Sequence, residues 1–114
     1  MIVEQGDVIV CDFDPTVGHE PRKRRPAVVV SVGYFNNVLS SLVAVCPITS
    51  RVNGHPLHVP VEDSSLSVSG CVCLEQLRTI DLEAPSRRAA PTGERMDVAT
   101  MTRVLDGLGA MLGI

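Results

Sequence analysis

Pro26-Ala27-Val28-Val29-Val30-Ser31-Val32 is apolar on both faces of an extended chain. A strand without a polar face must be covered on both sides, so this one belongs at the centre of a sheet. It is expected to start at Pro26, because proline cannot donate to an interior ladder. Before it lies Asp7-Val8-Ile9-Val10-Cys11-Asp12-Phe13, a β-branched run that stops at the turn signal Asp14-Pro15. The stretch between the two, residues 15–25, holds Gly18, Pro21 and four consecutive cations with no apolar period, and reads as an exposed loop.

On the other side, Gly33 to Ser41 is a connection and Leu42-Val43-Ala44-Val45-Cys46-Pro47-Ile48 is a third strand. Asn53-Gly54 marks a tight turn, and Leu57, Val59 and Val61 alternate with His58 and Pro60 as in an edge strand that tolerates proline. His55 and His58 read as surface residues. Cys71 to Leu77 is a further strand, Arg78 to Asp81 bends into a short last one, and Glu83 to Arg95, rich in Pro, Ala, Arg and Gly, reads as an irregular connection. From Asp97 the period changes: Val98, Met101, Val104, Leu105, Leu108, Met111 and Leu112 recur at helical spacing behind a capping aspartate. Short strands, tight turns and one terminal helix describe a small, strongly bent antiparallel β-barrel of α+β class.

The 114 residues fit one domain, which at this size buries roughly two-thirds of its unfolded surface. With 45% hydrophobic and 20% charged residues the composition is globular. No run approaches the ~18 apolar residues of a membrane span, and Glu4 and Asp7 are wrong for a signal peptide, so a cytoplasmic protein is expected. Cys11, Cys46, Cys71 and Cys73 all fall in apolar strands and are expected as reduced thiols; the Cys71/Cys73 spacing is too short for a zinc knuckle, and no metal or cofactor is expected. Net charge is −3, yet residues 15–61 carry +4 and the rest −7. The polarity implies a cationic patch built from one loop and its neighbours.

Four segments in order resemble one family. They are Gly6-Asp7-Val8 leading to Asp14-Pro15-Thr16; Gly18-His19-Glu20 with Arg25-Pro26-Ala27-Val28-Val29-Val30; Cys46-Pro47-Ile48-Thr49-Ser50; and Glu75-Gln76-Leu77-Arg78-Thr79-Ile80-Asp81. Together they are similar to the MazF/PemK toxins. The resemblance implies an SH3-like barrel, a homodimer, metal-independent cutting of single-stranded RNA, and silencing by a MazE-like antitoxin whose disordered C-terminal tail enters the RNA groove. It assigns catalysis to Arg25 and Thr49, with Glu20 as an acid implicated in some members. The PemK branch adds an arginine and an aspartate two residues apart, where this chain has Cys73 and Glu75. The arginine is missing, so the pattern is closer to the MazF branch; His19 matches a PemK-branch histidine.

The chemistry suits these residues. RNA carries its own nucleophile, the 2′-hydroxyl, so the protein must take its proton, stabilise the phosphorane and let the 5′-oxygen leave. Arg25 supplies a permanent, forked cation for the phosphorane, and Thr49 a hydrogen bond to the phosphate or 2′-hydroxyl. Glu20 and Glu75 are carboxylates available as the base, and His19 titrates near neutrality; the residues alone do not choose among them. Glu75 can equally be a buried ion-pair partner of Arg78 or Arg25. Arg22, Lys23 and Arg24 suit phosphate contacts, and His55 and His58, surface residues of the cationic half, have a lesser claim to touch RNA. With aromatics limited to Phe13, Tyr34 and Phe35, base edges are left to hydrogen bonds from Gln76, Asn36 and Ser50. The competing function is a protein-binding toxin on the same barrel, as in the gyrase poisons, which would need neither Arg25 nor Thr49.

Overall fold

A computed structural model describes residues 1–13, 24–33, 35–39 and 41–114. The strands are β1 (Asp7–Asp12), β2 (Arg24–Val29), β3 (Leu42–Thr49), β4 (His58–Pro60), β5 (Cys71–Cys73), β6 (Arg78–Asp81) and β7 (Ala90–Arg95), followed by α1 (Val98–Leu112). All pairings are antiparallel, in the order β4-β5-β3-β2-β1-β7, with β6 also on β3. The expected α+β sheet with a C-terminal helix is present. The described strands do not close into a barrel, because β4 and β7 remain unpaired ends of a strongly bent sheet.

The bend comes from β3, which changes partners along its length. Its first half, Leu42 to Val45, pairs with β6, and its last two residues pair with β5. Alternation then sends side chains into two cores. Ile9, Cys11, Ala27, Val29, Val43 and Val45 pack in one, and Val8, Val28, Cys46, Ile48, Val72, Val104 and Leu108 in the other, under α1. This explains why β2 is apolar on both faces: Ala27 to Val30 are buried on alternating sides. All four cysteines are buried free thiols.

Several boundaries differ from expectation. β2 begins at Arg24, with Pro26 inside it opposite Val10, because its pairing to β3 starts only at Ala27↔Pro47 and asks no N–H of Pro26 there. The run 71–77 breaks after Cys73 into a single 3-10 turn, Leu74–Gln76, which buries Leu74 and leaves Glu75 and Gln76 exposed. Residues 90–95 form a true edge strand on β1, not an irregular connection. The connection after Val32 contains a π-helical turn, Phe35–Leu39. No helix among the described residues is long and apolar enough to cross a membrane.

Candidate functional site

Proline places the site. The β2–β3 pairing ends at Ala27↔Pro47, and just beyond it Arg25 and Thr49 line the same two recesses. Pro26 and Pro47 have no N–H to extend the ladder, so the strands end their pairing there and open a groove. Side-chain alternation puts Arg25, Thr49, Cys73 and His58 on one face, since Thr49 pairs with Cys71 and Cys73 pairs with His58.

Two adjoining recesses share Arg25, Thr49 and Arg51. One, of about 400 Å³, lies between the ends of β2 and β3 and the segment Ser67–Ser69. The other, of about 240 Å³, adds Asn53, His58, Cys73 and Gln76. Thr49 is fixed by its surroundings: its Oγ1 accepts the N–H of Arg51 at 3.2 Å, which leaves the hydroxyl proton to be donated elsewhere. Gly70, at φ +103°, passes so close that a Cβ there would lie 2.0 Å from the Thr49 carbonyl oxygen. The floor thiol of Cys73 is pushed up by burial and by the charge of Glu75, against the opposing pull of Arg25, and stays protonated at neutral pH.

Glu75 is not the buried partner of Arg25 or Arg78. Its turn directs it to β4, where its Oε2 lies 2.9 Å from His58 Nε2 and 3.9 Å from His55 Nε2. The two imidazoles stack with centroids 4.6 Å apart. Burial pushes the Glu75 carboxyl up, but the His58 hydrogen bond, its backbone contact and the nearby imidazoles outweigh it and hold the pKa below the usual value. Among the described residues, these three form the group whose ligand atoms converge, within 4.8 Å, as a metal would need. Their tautomers favour hydrogen bonding instead. His55 Nδ1 accepts the N–H of Leu57 at 3.1 Å, which places its proton on Nε2, the atom that would have to bind the ion.

At the end of β1, Asp12 is 1% exposed and takes two bonds from Arg88, at 2.7 and 3.0 Å. Arg24 joins this cluster, 3.6 Å from Asp12 and donating to the Arg88 carbonyl at 2.7 Å. The buried carboxylate thus anchors the residue next to Arg25, and Arg24 belongs to this cluster as well as to the groove wall.

Of the residues singled out from sequence, Arg24, Arg25, Thr49 and Ser50 meet in the first recess, and Arg25, Thr49 and Gln76 in the second. His19, Glu20, Arg22 and Lys23 lie outside the described residues. Asn36 does not join them. It is 3% exposed, and its amide is used up on Ser31 and the Val3 carbonyl, so it holds the N-terminal segment rather than a base. Sequence reasoning missed Arg51, Asn53 and Ser67–Ser69 as groove residues, and took His58 for a surface residue although its side chain is only 9% exposed. Arg51 had a signal, its place in the cationic half; the serines had none.

The structure is an open antiparallel sheet with a helix across one face and a groove lined by Arg25, Thr49 and Arg51. The comparisons give the family. Residues 4–112 match the profile of the PemK-like, MazF-like toxins of type II toxin–antitoxin systems. The chain is 33% identical over 113 residues to the endoribonuclease PemK of Escherichia coli, covering 96% of this chain and 82% of that protein. It is 40% identical over 89 residues to the endoribonuclease toxin ChpB of Escherichia coli K12, covering 71% and 72%. It superposes on a chain of a MazE–MazF crystal structure (Form-II) from Deinococcus radiodurans with a TM-score of 0.86 and 34% identity, over 100% of this chain and 98% of that one. The chain belongs to the PemK/MazF family of type II toxins.

Proposed function

We propose that this toxin is a metal-independent endoribonuclease that cuts single-stranded RNA by attack of the 2′-hydroxyl on the adjacent phosphate. The observation that carries the reading is that Arg25, Thr49 and Arg51 line both of two adjoining recesses of an open, cationic groove. Arg25 stabilises the phosphorane, the kind of preorganised contact that contributes a few kcal/mol, and Thr49 donates its free proton to the phosphate. The relatives are named endoribonucleases, which supports the same activity here and gives no support to a gyrase poison.

The 2′-hydroxyl gives its proton to the base and its oxygen attacks phosphorus as the bond to the 5′-oxygen breaks and that oxygen takes a proton from water, leaving a 2′,3′-cyclic phosphate on one fragment and a 5′-hydroxyl on the other. The base is one of Glu20, His19 or Glu75. Arg22 and Lys23 contact flanking phosphates, while Ser50 and Gln76 reach base edges from the two recesses. The toxin acts in the cytoplasm as a homodimer and is silenced by a MazE-like antitoxin whose acidic tail lies over residues 22–25; MazE–MazF assemblies of related chains support such a partner. Purified protein incubated with a long single-stranded RNA in excess EDTA should release discrete fragments, and Arg25→Ala should release none. Intact RNA with a substrate covering all short motifs would refute the reading.

A further inference from the structure

We propose that Glu94 is a positioning residue of the RNA groove, which through Ser67 fixes the wall formed by residues 67–69 and so selects the nucleotide beside the cut phosphate; the inference rests on the ribonuclease reading above and extends it to specificity. Ser67, Val68 and Ser69 line the recess of about 400 Å³ that also holds Arg25 and Thr49. They belong to a strap, residues 61–70, closed at its base by the Val61 N–H donating to the Gly70 carbonyl at 2.9 Å. Gly70 runs close against the backbone of Thr49 and Ser50. The wall therefore stands directly beside the threonine of the proposed chemistry.

The two limbs of the strap are tied to different elements. On the far limb the Glu62 N–H donates to Thr100 Oγ1 of α1 at 2.9 Å, and the Glu62 carboxylate pairs with Arg103. On the groove limb the Ser67 N–H lies 3.0 and 3.2 Å from the two carboxylate oxygens of Glu94, and the Ser67 hydroxyl donates to one of them. Among the described residues, the hydrogen bonds that residues 67–69 donate all end on this carboxylate. Leu66 and Val68 pack on the core beneath α1, so the strap keeps its place in the fold without the clamp. What the charge-assisted clamp adds is the position of the groove edge, and a shift of about 1 Å there is enough to misplace a bound nucleotide.

Strand β7 is shaped to deliver this carboxylate. Asp7 pairs with Arg95 and Ile9 with Pro91, so Thr92, Gly93 and Glu94 stand opposite Val8 alone, in a bulge. Gly93 takes a φ of +81° with open space where a Cβ would stand, so the glycine serves the backbone turn and not a close contact. Thr92 pins the bulge, its Oγ1 donating to the Val8 carbonyl at 2.7 Å and accepting the Glu94 N–H at 3.1 Å. A bulge re-aims a side chain, and this one directs Glu94 across to the strap.

The test is steady-state cleavage of single-stranded RNAs covering all short motifs, with fragment ends sequenced, by the full-length protein and three variants. Glu94→Ala should raise KM roughly tenfold, the size of one charge-assisted hydrogen bond, with kcat held within about twofold, and should accept more than one nucleotide at a motif position that the parent restricts. Glu94→Gln, whose amide oxygen still accepts from Ser67, should regain most of the parent's KM and motif. Ser65→Ala, which removes a hydroxyl bonded to Asp63 elsewhere in the strap, should match the parent in both. A merely structural role would lower kcat and the urea midpoint together and leave the motif unchanged. A Glu94→Ala protein with the parent's KM and motif, or a loss that Glu94→Gln does not restore, overturns the proposal and leaves the ribonuclease reading intact; a parent that cuts no RNA overturns both.

Discussion

A Cβ at position 70 would sit 2.0 Å from the carbonyl oxygen of Thr49, at a φ of +103° that side chains avoid. Gly70→Ala must therefore push the end of β3 aside, and is expected to cost at least about 2 kcal/mol in urea unfolding and to lose cleavage with it. A stability equal to the parent's would show that Thr49 tolerates displacement. Thr49 itself separates shape from hydrogen bonding. Thr49→Val keeps the volume and removes the free proton, and should lower kcat by roughly 10- to 100-fold with little change in unfolding, whereas Thr49→Ser should retain most of the rate; equal losses in both would refute the donor role. Arg25 and Thr49 were singled out through the family resemblance, since an arginine in a basic loop and a threonine at a strand end carry no functional signal by themselves. The burial of His58 was not legible, because it depends on the turn at Glu75, and nothing in the local pattern says that a carboxylate from the next strand comes back over it. Asn36 misled for the reverse reason: a polar residue in a connection looks free until the N-terminal segment packs on it.

Elements were readable where their pattern was pure. β2 and α1 follow their periods without interruption, while β7, Ala-Pro-Thr-Gly-Glu-Arg, carries a proline and a glycine and could be a strand only at an edge, where β1 leaves one side open. The run after Cys71 looks like one strand because Leu74 is apolar, and the 3-10 turn that actually ends it uses that leucine to fill the space beside Gly107 of α1. The helix start gives a sharper test. Asp97 accepts the Thr100 N–H at 2.9 Å and the Thr100 hydroxyl at 2.9 and 3.0 Å, so Asp97→Ala should cost about 1 kcal/mol. Burial pushes this carboxyl up, but the bonds from Thr100 outweigh it and hold its pKa below 3.8. A depressed folded pKa gives stability that is present above about pH 4 and fades as pH falls through the folded value. The parent and Asp97→Ala should therefore differ in urea midpoint at pH 6 and converge toward pH 2; a constant gap would mean the cap acts through packing alone.

For the whole molecule, the outer face of α1 and the C-terminus leave Val98, Leu105, Met111, Leu112 and Ile114 exposed, while Leu108, expected on the same stripe, is in the core. That residual apolar surface, with the family membership, supports a homodimer. Sedimentation at micromolar concentration should give twice the chain mass of 12.2 kDa, and a monomer would contradict it. The charge division, +4 in residues 15–61 against −7 elsewhere, should make RNA affinity fall steeply with salt; a flat salt response would mean that the cationic half does not meet the phosphates. The central claim is the 2′-hydroxyl mechanism at Arg25 and Thr49, and the most direct measurement is of the ends it leaves. A cleaved RNA, mapped in EDTA and resynthesised with a single 2′-deoxy sugar immediately 5′ of the cut phosphate, should resist cutting, while the unmodified strand yields a 2′,3′-cyclic or 3′-phosphate and a 5′-hydroxyl. Continued cutting of the deoxy-substituted strand, or fragments bearing 5′-phosphates, would contradict the account.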